Sequence, residues 1–324
     1  MRNLIGQQIA SYQIQTMAGE GAIGSVYQAI ELGSGSLVAV KLVHSRFEQR
    51  VRDLLLEQAR QSQRLAHGGI VSYYEASVID GNVCLVSELL PLGSLAQRLV
   101  ELRYRGEALP LAVVLGMVLQ LAEGLHAAHE MGVVHGHLSM ENVLLANEQT
   151  VKINDFGLWL PSLIAADRAA WTYAAPEQLQ GAQGDLLSDV YALGVLFYEL
   201  VVGEPPFAPN SFDEAKQMHG EEEPEEPRSR VADLPSLINE IILHMLEKEP
   251  EDRPTNLLDV IQTIQFATDN GPNDAVALVA GTYSAENDQT QFDVTDGIDA
   301  ALVEFNDQWG ADEDRVTISR TPPI

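Results

Sequence analysis

The sequence predicts an α+β fold in two lobes, a smaller strand-rich one followed by a larger helical one, with an acidic tail. Three observations carry this. Residues near 9–43 alternate apolar and polar side chains as strands do, in Tyr12-Gln13-Ile14, Val26-Tyr27-Gln28-Ala29 and Leu37-Val38-Ala39-Val40-Lys41. The stretches Leu109 to Met131 and Ser188 to Val201 are long and apolar, as buried helices are. From about Thr268 the composition turns to Asp, Asn, Gln, Thr and Gly, too polar to order around a core. The composition change sets the tail at 268–324.

Composition narrows the class. Apolar residues make up 46% of 324 residues, enough for a sizeable core. The one cysteine, Cys84, allows no disulfide within the chain and suits a reducing cytoplasm. Met1-Arg2-Asn3 leads into a polar segment rather than an apolar leader, and the apolar run Leu109 to Leu119 is too short to span a bilayer. The expectation is a cytoplasmic protein without a membrane span. A formal net charge of −28 argues against nucleic acid as a partner.

In chain order, the first signal is Gly19-Glu20-Gly21-Ala22-Ile23-Gly24 between two strands. A dinucleotide-binding fold needs a helix directly after such glycines, but Ser25-Val26-Tyr27-Gln28-Ala29 reads as strand. A phosphate loop of the Walker type needs a following Gly-Lys-Ser/Thr, which is missing. Phe47 to Ala66 predicts a helix with an inner stripe at Val51, Leu55, Gln58, Ser62 and Leu65. Val83 to Val86 predicts a buried strand, and Gly93-Ser94-Leu95 opens a helix. Two short apolar runs, Val143 to Leu145 and Val151 to Ile153, flank a hairpin-length connection. Asn142 and Asp155 bracket that hairpin. Pairing the strands brings an amide oxygen and a carboxylate toward one point, a donor set that suits Mg2+ held with phosphates. Glu221 to Arg230 reads as an acidic surface loop, and Leu237 to Leu246 as a further helix. His126, His129, His135 and His137 invite a zinc reading, but no cysteine supports it and packed histidines account for them better.

The stretch Val133 to Gly157 resembles the catalytic and metal-binding loops of protein kinases, which read H-R-D-x-K-x-x-N and then D-F-G. His135, Asn142 and Asp155-Phe156-Gly157 match. The glycine loop followed by Val38-Ala39-Val40-Lys41, and the later Ala175-Pro176-Glu177 with Pro250-Glu251-Asp252-Arg253-Pro254, fall in the family's order. The resemblance covers about residues 9–267 and is closest to the bacterial-type serine/threonine kinases. It implies a two-lobed kinase fold, with the first lobe at 1–90 and the second at 91–267, and a cleft for ATP and Mg2+. It further implies that Gly19, Gly21, Gly24 and Val26 close over the triphosphate, and that Lys41 sits beside its α/β-phosphates. Ala39 and Leu144 would sandwich the adenine, and Glu88 to Leu90 would read it by backbone, behind the gatekeeper Ser87. Asn142 and Asp155 would hold metal. Asp189 would cap the catalytic-loop backbone, and Glu177 would pair with Arg253.

Several positions depart from the family. The arginine, aspartate and lysine of the catalytic loop are Gly136, His137 and Ser139. The helix glutamate that pairs with the strand lysine falls on Gln58, because Glu57 lies about 100° away around the helix. Ser62 places a hydroxyl where apolar packing is expected, and both changes weaken the helix's placement. Ala170 stands where a threonine orders the substrate hydroxyl, and only Ser162 and Thr172 could accept phosphate nearby. His137, at the position of the proton acceptor, is therefore expected to be non-functional or very weak. The resemblance implies a pseudokinase, binding ATP with Mg2+ and acting as regulator or scaffold on protein partners such as an active kinase or its substrates. A low-activity serine/threonine kinase and a nucleotide-free scaffold remain open as alternatives. In the tail, residues 296–309 place Ile298, Leu302, Phe305 and Trp309 at helical spacing, suggesting a helix that either docks a partner or packs on the chain's own second lobe.

Overall fold

The computed structural model describes residues 4–158 and 168–269. The first lobe is a six-stranded antiparallel sheet in the order β1-β2-β3-β4-β6-β5. Its strands are β1 (Gln8–Ile9), β2 (Tyr12–Glu20), β3 (Gly24–Glu31), β4 (Leu37–Val43), β5 (Tyr73–Ile79) and β6 (Asn82–Glu88). The period-2 pattern puts Tyr12, Ile14, Tyr27, Ala29, Val38 and Val40 on one face, where they pack with Cys84 and Val86. The other face meets α1 (Gln49–Ser62) through Leu55, Leu56, Ala59 and Leu85.

Helix α1 is shorter than the 47–66 expected. Glu48 is still extended, and beyond Ser62 the chain tightens, with Gln63 N–H bonding back to the Ala59 carbonyl and Arg64 N–H to the Gln61 carbonyl. Around α1, Leu55 and Ser62 are buried and Glu57 is exposed, so the inner stripe runs through Gln58 as the spacing required. Gly24 has a steric reason: a Cβ there would run into the Leu42 carbonyl on the neighbouring strand.

The second lobe is built on helices α2 (Leu95–Arg105), α3 (Leu111–Glu130), α4 (Arg168–Tyr173), α5 (Pro176–Leu179) and α6 (Leu186–Val202). Then come α7 (Phe212–Glu221), α8 (Pro227–Arg230), α9 (Ser236–Met245) and a helix over residues 257–269. Every residue of α6 from Ser188 to Leu200 is buried, and α3 and α9 pack against it in one core. Helix α3 is by length and composition apolar enough to cross a membrane, unlike the short run weighed from sequence. Its apolar side chains, Val114 through Ala128, instead fill this core. The stretch 221–230, expected as a loop, contains the helical turn α8, for which Pro227 supplies a pre-set first residue. The stretch 296–309 and Ser162 lie outside the described residues.

Strands β7 (Val143–Leu145) and β8 (Val151–Ile153) pair antiparallel, Val143 opposite Ile153 and Leu145 opposite Val151. The hairpin also stitches the lobes together. Val71 N–H donates to the Ile153 carbonyl at 2.9 Å, and Ile153 N–H donates to Gly69 at 2.8 Å. That fixes the end of β8, and hence Asp155, beneath the first lobe's sheet.

Candidate functional site

A cavity of about 940 Å3 lies between the lobes, near the upper end of the usual range for ligand pockets, about 300–1,000 Å3. Gly19, Gly21, Gly24, Val26, Ala39 and Lys41 line it from β2 to β4. Glu88 and Leu90 line it from the connection between the lobes, and His137, Asn142, Leu144 and Asp155 from the second lobe. All the residues singled out from sequence as catalytic, nucleotide-contacting or metal-holding therefore face one space. Tyr73, Gln97, Glu141 and Arg168 also line it, and sequence reasoning missed them. Tyr73 carried no motif signal; only its strand register, opposite Ser87, aims it at the cleft.

The side of the cavity formed by the connection between the lobes is held by polar side chains. Glu88 accepts from Ser72 N–H at 2.8 Å and from the Lys152 ammonium at 2.8 and 2.9 Å. The buried Ser87 hydroxyl donates to the Glu88 carbonyl at 3.2 Å. The segment expected to read a base is thus braced from both lobes.

The side of the cavity beneath the glycine loop and Lys41 is organised by Asp155. Its backbone takes the left-handed conformation, φ 62°, which a non-glycine residue adopts at a cost and which is characteristic of functional sites. Lys41 bonds Asp155 Oδ2 in a close ion pair, and the Tyr73 hydroxyl donates to Asp155 Oδ1 at 2.8 Å. Burial pushes the Asp155 carboxyl up, but the Lys41 ammonium and the hydrogen bonds outweigh it and hold the group below the usual carboxylate range. Burial and the Asp155 charge push the Tyr73 phenol well above its ordinary value. Lys41 had, from the sequence, the neutral amide of Gln58 as one available hydrogen-bond partner. It pairs with Asp155 instead, and Gln58 Oε1 is buried without a hydrogen-bond partner among the described residues. The expectation that Ser62 weakens α1 is also corrected. Its hydroxyl donates to the Phe156 carbonyl at 2.7 Å and ties the helix to the segment that carries Asp155.

The catalytic-loop backbone is fixed by Asp189, which accepts from His135 N–H at 2.8 Å and Gly136 N–H at 2.7 Å. Gly136 has φ 73°, so a glycine relieves strain that any side chain there would carry. His129 meets Asp189 at 2.9 Å and His135 meets the Asn154 carbonyl at 2.9 Å, so both rings serve the fold. His137 and the buried Ser139 bring no carboxylate and no ammonium to the reacting end. Asn142 donates its amide to the His137 carbonyl at 2.9 Å, leaving its oxygen as the group that could face a cation. Ala170, buried, offers no hydroxyl. Further out, Arg253 grips Glu177 with two parallel bonds of 2.9 Å.

The shape, the glycine-edged roof and Lys41 fit a nucleotide. The fit to Mg2+ is poorer, since both oxygens of Asp155 are already engaged inside the protein.

The chain matches the protein kinase domain over residues 12–266. The serine/threonine-protein kinase PknL of Mycobacterium tuberculosis is 31% identical over 252 residues, covering 75% of this chain and 62% of that protein. A probable serine/threonine-protein kinase PknB of Corynebacterium glutamicum is 27% identical over 258 residues, covering 75% of this chain and 40% of that one. The chain spans about two fifths of the length of several such curated relatives, 42% and 40% in two cases. The crystal structure of the Mycobacterium tuberculosis PknI kinase domain superposes with a TM-score of 0.67 at 23% identity, covering 82% of this chain and 99% of that one, a likeness of fold.

Proposed function

The chain belongs to the protein kinase family, and we propose that within it this domain binds adenine nucleotide and works as a pseudokinase, a regulator or scaffold, with little or no phosphoryl transfer. One observation carries the reading. The residues expected to contact a nucleotide and the non-standard residues of the catalytic loop line the same cavity, which supports a reading in which binding outlasts the chemistry. When bound, ATP would supply a γ-phosphoryl group. The chain's own residues would hold it in place: the glycine loop over the triphosphate, Lys41 as the cation beside it, and Ala39 and Leu144 against the base. In a kinase of ordinary sequence a loop aspartate positions the substrate hydroxyl and accepts its proton, and a loop lysine offsets charge on the γ-phosphate. Here a histidine and a serine stand there. The domain would then act on protein partners, an active kinase or its substrates, in the cytoplasm.

The test is a thermal melt with ATP, ADP and AMP. At about 100 times Kd a ligand stabilises the fold by about 2.7 kcal/mol, which a melt resolves. A curve unmoved by millimolar ATP rules the nucleotide reading out and leaves the cleft as an interaction surface.

A further inference from the structure

We infer that Tyr73 controls how this cleft responds to divalent cation: its hydroxyl, together with Lys41, occupies the carboxylate of Asp155 that a metal would otherwise use. The inference rests on the nucleotide-binding reading above and adds a residue to it.

The geometry is specific. Asp155 has two carboxylate oxygens. Lys41 takes Oδ2 and Tyr73 donates to Oδ1 at 2.8 Å, with Asn154 Oδ1 a second acceptor for the same hydroxyl at 3.1 Å. Asp155 cannot easily turn away, because its backbone is held on either side. Asn154 N–H bonds Asn142 O at 2.8 Å, and the Phe156 carbonyl accepts from Ser62 at 2.7 Å. Tyr73 is equally fixed, at the start of β5 opposite Ser87 and packed on the cluster of Leu55, Ala59 and Leu85. The ammonium of Lys41 cancels the charge of Asp155, and the phenol satisfies its remaining face. Mg2+ demands near-ideal octahedral geometry and gives up its waters reluctantly. To bind Asp155 it must compete with donors already paired on both oxygens, a phenol on one and an ammonium on the other. The cleft therefore takes nucleotide with little help from metal, and Tyr73 is the positioning residue responsible.

The experiment uses the full chain and compares wild type, Tyr73→Phe, Asp155→Asn and the double variant. Each is melted with ATP in EDTA and then across a Mg2+ titration at fixed ATP. In wild type the ATP shift should be nearly the same with and without Mg2+. In Tyr73→Phe the Mg2+ half-point should fall ten- to hundredfold, and the double variant should lose that gain. Asp155→Asn alone should leave the small wild-type Mg2+ increment unchanged, and Tyr73→Leu, which also removes the hydroxyl, repeats the comparison if Tyr73→Phe fails to fold. A Tyr73→Phe protein that melts lower but keeps the wild-type Mg2+ half-point would overturn the inference, since Tyr73 would then only pack. A large wild-type Mg2+ increment that Asp155→Asn removes would overturn it as well. In both of those cases ATP still shifts the melt in EDTA and the nucleotide reading stands. No ATP shift in any protein would defeat the reading and the inference together.

Discussion

His219 is buried on α7, with its Nδ1 2.9 Å from the Tyr191 hydroxyl and its Nε2 without a partner among the described residues. Burial, and then the nearby Lys248 charge, lower its pKa to about 3. Because folding keeps the ring neutral, its contribution is fully present above the unfolded value of about 6.5. It is lost as pH falls from there toward 3, since the unfolded chain takes up the proton first. Between pH 7 and pH 5, before most carboxylates protonate, wild type should lose about 2 kcal/mol through this group, at about 1.4 kcal/mol per unit for one proton. Urea titrations at several pH values check this, and His219→Gln should flatten the slope. Arg253 is the opposite case, a buried charge that is fully paired. Arg253→Met strands Glu177, whose carboxyl is held below its usual range by that guanidinium against the upward push of burial. The expected cost is about 3–5 kcal/mol, read from the urea midpoint. Both partners of this pair were legible from their motifs. The buried His219 was not, because nothing near it in sequence marks Tyr191 and Phe207 as its surroundings.

At the scale of elements, strands and helices were readable because period 2 and period 3.6 are local. The stripe on α1 placed Gln58 inward and Glu57 outward, as the structure has them. What α1 touches was not readable. The Ser62 hydroxyl reaches a carbonyl 94 residues on, and no spacing rule foretells a pairing across that distance. The same limit hid the choice Lys41 makes between Gln58 and Asp155. Two substitutions separate these contributions. Ser62→Ala leaves the Phe156 carbonyl unpaired in the interior and should cost about 1–3 kcal/mol. Gln58→Met removes an unpaired buried oxygen at similar volume and should be neutral or mildly stabilising. Equilibrium denaturation of both variants reads the difference, and equal losses would contradict the role assigned to Ser62.

For the whole molecule, the two-lobed order followed from the succession of the glycine loop, Lys41, the 143–153 hairpin and the Glu177–Arg253 pair, which together fit one known arrangement. The account's central claim concerns what that arrangement still does. The residues proposed to hold a nucleotide line one braced cleft, while His137, Ser139 and Ala170 stand where the family has its aspartate, its lysine and its threonine. Loss of general-base catalysis alone removes about 10²–10⁴-fold in rate, and the further losses compound it. Restoring His137→Asp with Ser139→Lys should raise transfer if the cleft is otherwise complete, and Tyr73→Phe in that background should raise it further in Mg2+. The most direct measurement is transfer of labelled γ-phosphate, to the chain itself and to a generic basic protein, by wild type beside Lys41→Met. The account predicts that the two are indistinguishable. Robust transfer by wild type that Lys41→Met abolishes would contradict it and make His137 a working base.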